Sequence, residues 1–400
     1  MSLAAPEGGR PRRSLILAGG GMRVAYQAGV LLALEEDGLT FFHADGTSGG
    51  TMNLAMLLSG LSPAEMCERW RTLDVRDFVS FLRVKKYLRS LNWPAFGGAD
   101  GLKGKVYPHL GIDPSKIRAA DGIEGTFNVC DYDDKTNWAV PNREVDEDLL
   151  VAGVSLPMLM PPVERDGKRY VDSVWIKDAN PSEAVRRGAE ELWLVWCIGN
   201  VTTYRPGAFN QYVHMIEMSA NGGLFEELAH LRAELGPELP KLHVIKPEYP
   251  LPLDPDFYLG RIDANALIAM GYRDAKRYLG SPAPAEWGPE ATKMRDQPPG
   301  AAFVEHVDGA EIRVDIRDAD RFLRGDRTGE AVAMVNGRPA KSGSFALDGK
   351  WRTYELMLDE PLSYRVRGHR WHLLRSLQAT GTDSVREQLS VYVHMARLLA

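Results

Sequence analysis

The stretch "SLILAGGGMR", Ser14–Arg23, constrains the fold more than any other part of the chain. A short apolar run, long enough for one buried strand, leads into three consecutive glycines, Gly19, Gly20 and Gly21. A helical pattern, "MRVAYQAGVLLALEEDG", follows and closes at Gly38. Glycine weakens strands and helices alike, so three together at a strand end need a reason. The usual reasons are a phosphate, a dinucleotide or an oxyanion brought close to the backbone. The dinucleotide fingerprint G-x-G-x-x-G fails, because Val24 holds its last position. A phosphate loop fails too, because no Gly-Lys-Ser/Thr follows.

The pattern then repeats. "FFHADGTSGG" reads as a second strand ending in a turn, and "TMNLAMLLSG" resumes helical spacing. Strand–loop–helix in tandem predicts an α/β fold with helices crossing between parallel strands. "SPAEMCERWRTL" starts a further helix, with Ser62 as N-cap, Pro63 at the first position and Glu65 closing a capping box. "GTFNVCDYDD" and "KTNWAV" read as a strand pair, "ERDGKRYVDS" as a hairpin turning at Asp166-Gly167, "AEELWLVWCIG" as a buried strand, and "YLGRIDANALIAMGYRDAKRYLG" as a late helix. A chain of 400 residues exceeds one typical domain. The predicted organisation is a loose tail over 1–13, a main α/β domain over 14–280, a Pro/Gly-rich linker over 281–300, an antiparallel β domain over 301–378, and a helix over 379–400. A net charge of −6 argues against broad nucleic-acid binding. Cys67, Cys130 and Cys197 are too far apart for a disulfide framework or a metal site. No long apolar run follows the arginines of "MSLAAPEGGRPRRS", so the expectation is a cytoplasmic protein, with peripheral membrane contact as a further expectation.

Two more stretches carry chemistry. "GTSGG", Gly46–Gly50, fits G-x-S-x-G, the sharp strand-to-helix turn that exposes a serine nucleophile, here Ser48. Taken alone, it reads equally well as a plain βα turn. "PPVERDGKRYVDS" holds two acids. Asp166 has a backbone reason to be in its turn, whereas Asp172 ends a strand and has none. Asp172 is therefore either a cap or surface ion pair, or a group used in chemistry. Together the three stretches supply oxyanion donors, a nucleophile and a carboxylate able to take its proton.

These motifs resemble those of the patatin-like phospholipases. That family has a Gly-Gly-Gly-x-Arg/Lys loop, here Gly19–Arg23, then a Gly-x-Ser-x-Gly elbow around Ser48, then a catalytic Asp, here Asp172. "VSLPMLMPPV" before the acid and "PLDPDFYLGRIDANALIAMGYRDA" near the end of the domain resemble the family as well, over roughly residues 12–280. The resemblance implies a three-layer α/β/α domain with a mainly parallel sheet. It implies a lipid acyl hydrolase, a phospholipase A or lipid esterase, that uses a Ser48–Asp172 dyad and an acyl-enzyme, without metal or organic cofactor. Gly19, Gly20 and Gly21 would form the oxyanion hole with Arg23 beside it, and Gly46 and Gly50 would shape the elbow. The substrate would be a lipid or another acyl ester. Two departures stand out: Val24 and Ser173 occupy positions where the family has smaller residues. Acyl transfer from the same acyl-enzyme, or a relict lipid-binding protein, are the alternative readings.

Other residues have plainer readings. His43, His214 and His230 are expected to be structural or solvated rather than catalytic. The basic, aromatic "FLRVKKYLRSLNW" reads as an amphipathic helix with a solvated charged side, its rival being a lipid-facing surface. Met158, Leu159 and Met160 suit either an acyl-chain channel or core packing. His306, His369 and His372 lack metal-like spacing.

Overall fold

The computed structural model describes residues 3, 11–73, 80–81, 97–199, 208–248, 250–251 and 264–295, and beyond residue 300 the strands alone. The first strand, β1 (Arg13–Leu17), sorts its side chains by alternation. Leu15 and Leu17 enter one hydrophobic core, while Ile16 and the following Ala18 enter another. Both faces of the sheet are therefore buried, as a continuous apolar run predicts for a central parallel strand. Helices α1 (Ala25–Glu36), α2 (Gly49–Leu58) and α3 (Pro63–Thr72) contribute to the first core. On α3 the capping box of Ser62 and Glu65 forms as the sequence predicts.

The sheet grows outward from β1. Strand β2 (His43–Thr47) pairs with it in parallel on one side. Strand β3 (Glu124–Asp131) pairs in parallel with β2. On the other side of β1 lie β7 (Glu191–Val195) and then β8 (Lys241–Ile245), both parallel. Three antiparallel strands complete the eight: β4 (Thr136–Pro141) on β3, and the hairpin β5 (Val163–Arg165) and β6 (Lys168–Asp172). The hairpin turns through positive φ at Asp166 and Gly167, the geometry an Asp-Gly pair favours. Between β3 and β6 runs α4 (Glu147–Ala152), and between β6 and β7 runs α5 (Pro181–Arg186). The second core is covered by Ala184 of α5 and by Ala220, Leu224, Leu228 and Leu231 of the long helix α6 (Ala208–Leu235).

One helix contact is unusually close. Helix α1 is buried nearly all round, and α7 (Ala264–Gly280) crosses it backbone to backbone. A Cβ on Gly29 would lie 2.0 Å from the Ile268 carbonyl oxygen, and one on Gly271 would lie 2.0 Å from that of Tyr26. The Tyr26 hydroxyl closes the crossing by donating to Asp274 Oδ2 at 3.1 Å.

Several expectations change here. Within the stretch read as a loose tail, Leu3 is buried and its carbonyl accepts the Phe41 N–H at 2.7 Å. Arg12 lies over the Phe42 ring and donates to the Gly188 and Arg187 carbonyls. The stretch read as a linker is packed down over 281–295. Trp287, Ala291 and Met294 join the second core, and the Trp287 indole N–H donates to the Pro240 carbonyl at 3.0 Å. Proline and glycine keep that segment out of helix and strand, but one tryptophan buries enough apolar surface to hold it. Beyond residue 300 the strands form a five-stranded and a four-stranded antiparallel sheet. Gln388–Tyr392, read as part of a terminal helix, is instead a strand paired with His372–Leu377. Its Val391 and Tyr392 suit a pleated strand as well as a helix face. The basic stretch after Phe81 lies outside the described residues.

Because the α1–α7 crossing leaves no room for a side chain, Gly29→Val is expected to destabilise the protein by about 3 kcal/mol. Urea unfolding of the variant beside the native chain checks this.

Candidate active site

Strand pairing alone brings two of the singled-out residues together. One edge of β3 is taken by β4 from Thr126 to Asp131. Both β2 and β6 must therefore share the other edge. Thr47, the last residue of β2, pairs with Asn128, and Asp172, the last of β6, pairs with Val129. Where β2 leaves that edge, β6 arrives. Ser48 follows Thr47 directly, so it turns out of the sheet beside Asp172.

Ser48 adopts φ 52 and ψ −127, a strained conformation for a residue with a Cβ. It stands at the N-terminus of α2, whose dipole favours negative charge there. Its neighbours explain the glycines around it. A Cβ on Gly50 would lie 2.1 Å from the Leu17 carbonyl oxygen, and one on Gly46 would crowd Gly50 and Leu54. The elbow can form only because helix and strand touch at bare backbone.

Asp172 is fully buried. Its Oδ1 accepts the Val174 N–H at 2.9 Å, while Oδ2 has no partner among the described residues. The Ser48 hydroxyl lies near enough to act on its titration, although no bond of standard length and angle joins them. Such contacts commonly tighten only when substrate binds. Burial pushes the Asp172 carboxyl up to about 7, against the pull of Ser48 and the Val174 N–H. Ser173 turns away from this site and donates to Asn137 Oδ1. The departure at position 173 thus crowds nothing.

The glycine loop lies across from the elbow. The Gly19 N–H is occupied by the Asp178 carbonyl at 3.2 Å, so it is not a free oxyanion donor. Among the described residues, the Gly20 and Gly21 N–H groups have no partner. Arg23 is buried and does not reach forward. Its backbone N–H and its Nε both donate to the Gly20 carbonyl, at 3.1 and 3.0 Å, and its Nη1 faces Glu217 Oε1 at 3.5 Å. A peptide's C=O and N–H point in opposite directions. Holding the Gly20 carbonyl on one side therefore turns the Gly21 N–H to the other. Val24, the other departure, is core: its methyls pack where a Cβ on Gly49 would stand.

Beneath the elbow runs a buried polar network. Ser14 donates to His43 Nδ1, His43 Nε2–H to Thr126 Oγ1, and Thr126 to Asp45 Oδ2, at 2.7, 3.0 and 2.6 Å. This chain of donors assigns the His43 tautomer, and burial pulls its pKa down to about 3. Asn128 donates to Asp45 Oδ1 at 2.7 Å and to Thr47 Oγ1 at 2.9 Å, and accepts from Asn137 and Asn180. Two buried residues of note escaped sequence reading. Asn128 looks like one polar residue of a strand. Asp178, in "KDANP", looks like part of the cap of α5, where Asn180 in fact caps and Pro181 begins the helix. Among the described residues no group of three His, Cys, Asp or Glu could hold a metal ion, and no helix is long and apolar enough to cross a membrane.

Residues 15–185 match the family model for patatin-like phospholipases. Among solved structures, VipD from Legionella pneumophila aligns at 13% identity and a TM-score of 0.40, over 70% of this chain and 68% of that one. No curated protein matches the chain.

The buried Asp172 carries a testable stability cost. Its folded pKa, about 7, lies above the value of an unfolded chain, about 3.9. A raised pKa favours the folded state fully at pH below the unfolded value and loses that advantage as pH climbs toward 7. Asp172→Asn keeps the acceptor for Val174 but cannot ionise. It is expected to melt higher than the native chain at about pH 8 and to show no such gain at about pH 4, by calorimetry at both.

Proposed function

We propose that this chain, whose residues 15–185 form a patatin-like phospholipase domain, hydrolyses acyl esters of lipids with Ser48 as nucleophile and Asp172 as its base. One observation carries the reading: a strained serine leaves the sheet beside a buried carboxyl that has one oxygen pinned and the other free. With Oδ1 pinned on Val174, Oδ2 is left to take the proton of the serine. A base with a pKa near 7 is also well matched to taking and returning a proton at neutral pH.

The chemistry follows from those positions. Ser48 Oγ attacks the ester carbonyl carbon, and its proton passes to Asp172 Oδ2. The carbonyl oxygen becomes negative and is met by the Gly20 and Gly21 N–H groups and the N-terminal end of α2. The intermediate collapses, the alcohol leaves with the proton from Asp172, and an acyl-Ser48 remains. Water then repeats the sequence: Asp172 takes its proton, Ser48 recovers it, and the fatty acid departs. Arg23 supports the loop through the Gly20 carbonyl and does not touch substrate.

The rim of the site favours a lipid. Helix α6 is tied to it at two points, through Tyr212 donating to the Pro157 carbonyl and Ser219 to the Trp175 carbonyl. The Trp175 and Tyr212 rings pack 5.8 Å apart, and Tyr212 feels the charge of Asp172. Between those ties Met215 and Met218 are exposed, and Met158 and Leu159 are exposed beside Pro157. Flexible methionine around a site suits apolar chains of varied shape.

A fluorophosphonate probe is expected to label the native protein and not Ser48→Ala, and to label Asp172→Asn far more slowly. Labelling that survives loss of Ser48 removes the nucleophile assignment. Labelling without hydrolysis of phospholipid or short esters moves the reading to acyl transfer, and no labelling moves it to lipid binding. The rate of labelling should climb with pH and level off above about 7, as Asp172 ionises. Met218→Glu should lower turnover of phospholipid in vesicles while sparing a soluble short-chain ester.

A further inference from the structure

Asp178 is an anomalous buried group among the described residues. It is 1% exposed, yet among the described residues neither carboxyl oxygen has a hydrogen-bond partner. Unpaired buried carboxyls are costly, and folds rarely keep one without a use. Its position is specific. A Cβ on Gly19 would lie 2.0 Å from Asp178 Oδ1 and 2.9 Å from the Ser48 Cβ. The carboxyl and the proposed nucleophile therefore flank one narrow gap, which stays open because residue 19 is glycine. The Asp178 carbonyl also accepts the Gly19 N–H, so backbone and side chain of this residue both engage the glycine loop.

We propose that Asp178 is an oxyanion donor: as a neutral acid it gives a hydrogen bond to the oxygen that becomes negative when Ser48 attacks the acyl carbon. The inference rests on the Ser48 hydrolase reading. An ionised carboxylate in that gap would repel the oxyanion, so the position is productive only with the proton on. The surroundings keep it there. Burial raises the Asp178 pKa well above its ordinary value, and the charge of Asp172, from the end of β6, raises it further. Arg23, from the glycine loop, and the Gly19 N–H oppose this without reversing it. The Cys197 thiol, just beyond β7, is itself held neutral by burial, and Lys177 is engaged by Glu227 at 3.0 Å. Two acids six residues apart are thereby given different tasks. Asp172 has a free oxygen and titrates near neutrality, as a base should, whereas Asp178 stays protonated, as a donor should.

The roles separate by substitution. Asp178→Ala removes the donor, and Asp178→Asn replaces it with an amide N–H of the same shape. With a soluble p-nitrophenyl ester, Ala is expected to lower kcat by about 100-fold to 1,000-fold with KM little changed, the loss typical of one oxyanion donor. Asn is expected to recover most of that loss, and both variants should melt within a few degrees of the native chain. An infrared difference spectrum of native minus Asp178→Asn at neutral pH should show a protonated carboxyl band. The proposal is overturned if folded Asp178→Ala keeps native kcat, if folded Asp178→Asn is as impaired as Ala, or if the difference spectrum shows a carboxylate. A native protein that shows no Ser48-dependent labelling overturns the hydrolase reading itself, and the proposal with it. Labelling that depends on Ser48 but ignores Asp178 overturns the proposal alone. Should the Ala variant fail to fold, the Asn kinetics and the infrared band still decide.

Discussion

Asn128 ties together the segments that the sheet gathers around the candidate site. Its amide nitrogen donates to Asp45 and Thr47, on the strand that leads to Ser48. Its amide oxygen accepts from Asn137, the partner of Ser173, and from Asn180, two residues after Asp178. The segments that carry Ser48, Asp172 and Asp178 are therefore all tied to one buried side chain. An amide is suited to this, because it donates and accepts at once and never changes charge. The sheet register sets the coarse placement, in that β2 and β6 share an edge of β3. The Asn128 network then fixes the rotation and depth of the segments that carry Ser48, Asp172 and Asp178.

The glycine loop is held from behind by a different device. Arg23 is buried against Glu217 and spends its Nε on the Gly20 carbonyl. Arginine has no acceptor and does not lose its charge, so it clamps a carbonyl without adding a titration. Glu217 belongs to α6, the same helix that presents Met215 and Met218 at the rim. The loop and the apolar rim are thus coupled mechanically through one helix.

Much of this was legible in the sequence, for identifiable reasons. The strand, glycine loop and elbow carry local signals: an apolar run, residues tolerating close backbone approach, and helical spacing after each. The capping box of α3 and the Asp166-Gly167 hairpin were readable on the same terms. Asp172 stands out because no Asp-Gly turn explains an acid at that strand end, and its carboxyl does cap the short turn beginning at Ser173. Asp178 did not stand out, because Asn180 and Pro181 supply a complete local account of the segment. Its burial comes from the glycine loop packing on it, a contact between residues far apart in the chain. The supposed linker failed for a related reason. Its composition is that of a connector, and only the second core, built by α6 and β8, makes a pocket in which Trp287 can be buried. Val24 and Ser173 depart from the family pattern beside site residues in sequence without entering the site in space. Val24 packs behind Gly49, and Ser173 faces Asn137.

Three buried aspartates show how environment divides one residue type into several. Asp45 accepts from Thr126 and Asn128, Asp172 from Val174 with Ser48 nearby, and the carboxyl of Asp178 from nothing. Burial raises all three, and the donors supplied to each decide how far. An isolated ionised carboxylate in such surroundings would cost several kcal/mol, so a group without donors keeps its proton instead. That expense must be carried by the rest of the domain. Part of the support lies in the first core, where α1 and α7 touch at Gly29 and Gly271 beside the helix that Ser48 begins. A tightly packed core transmits little give. It can therefore hold a strained serine, a half-satisfied Asp172 and an Asp178 carboxyl with no partner among the described residues at close quarters, where a looser scaffold would relax them into hydrogen bonds with each other or with water.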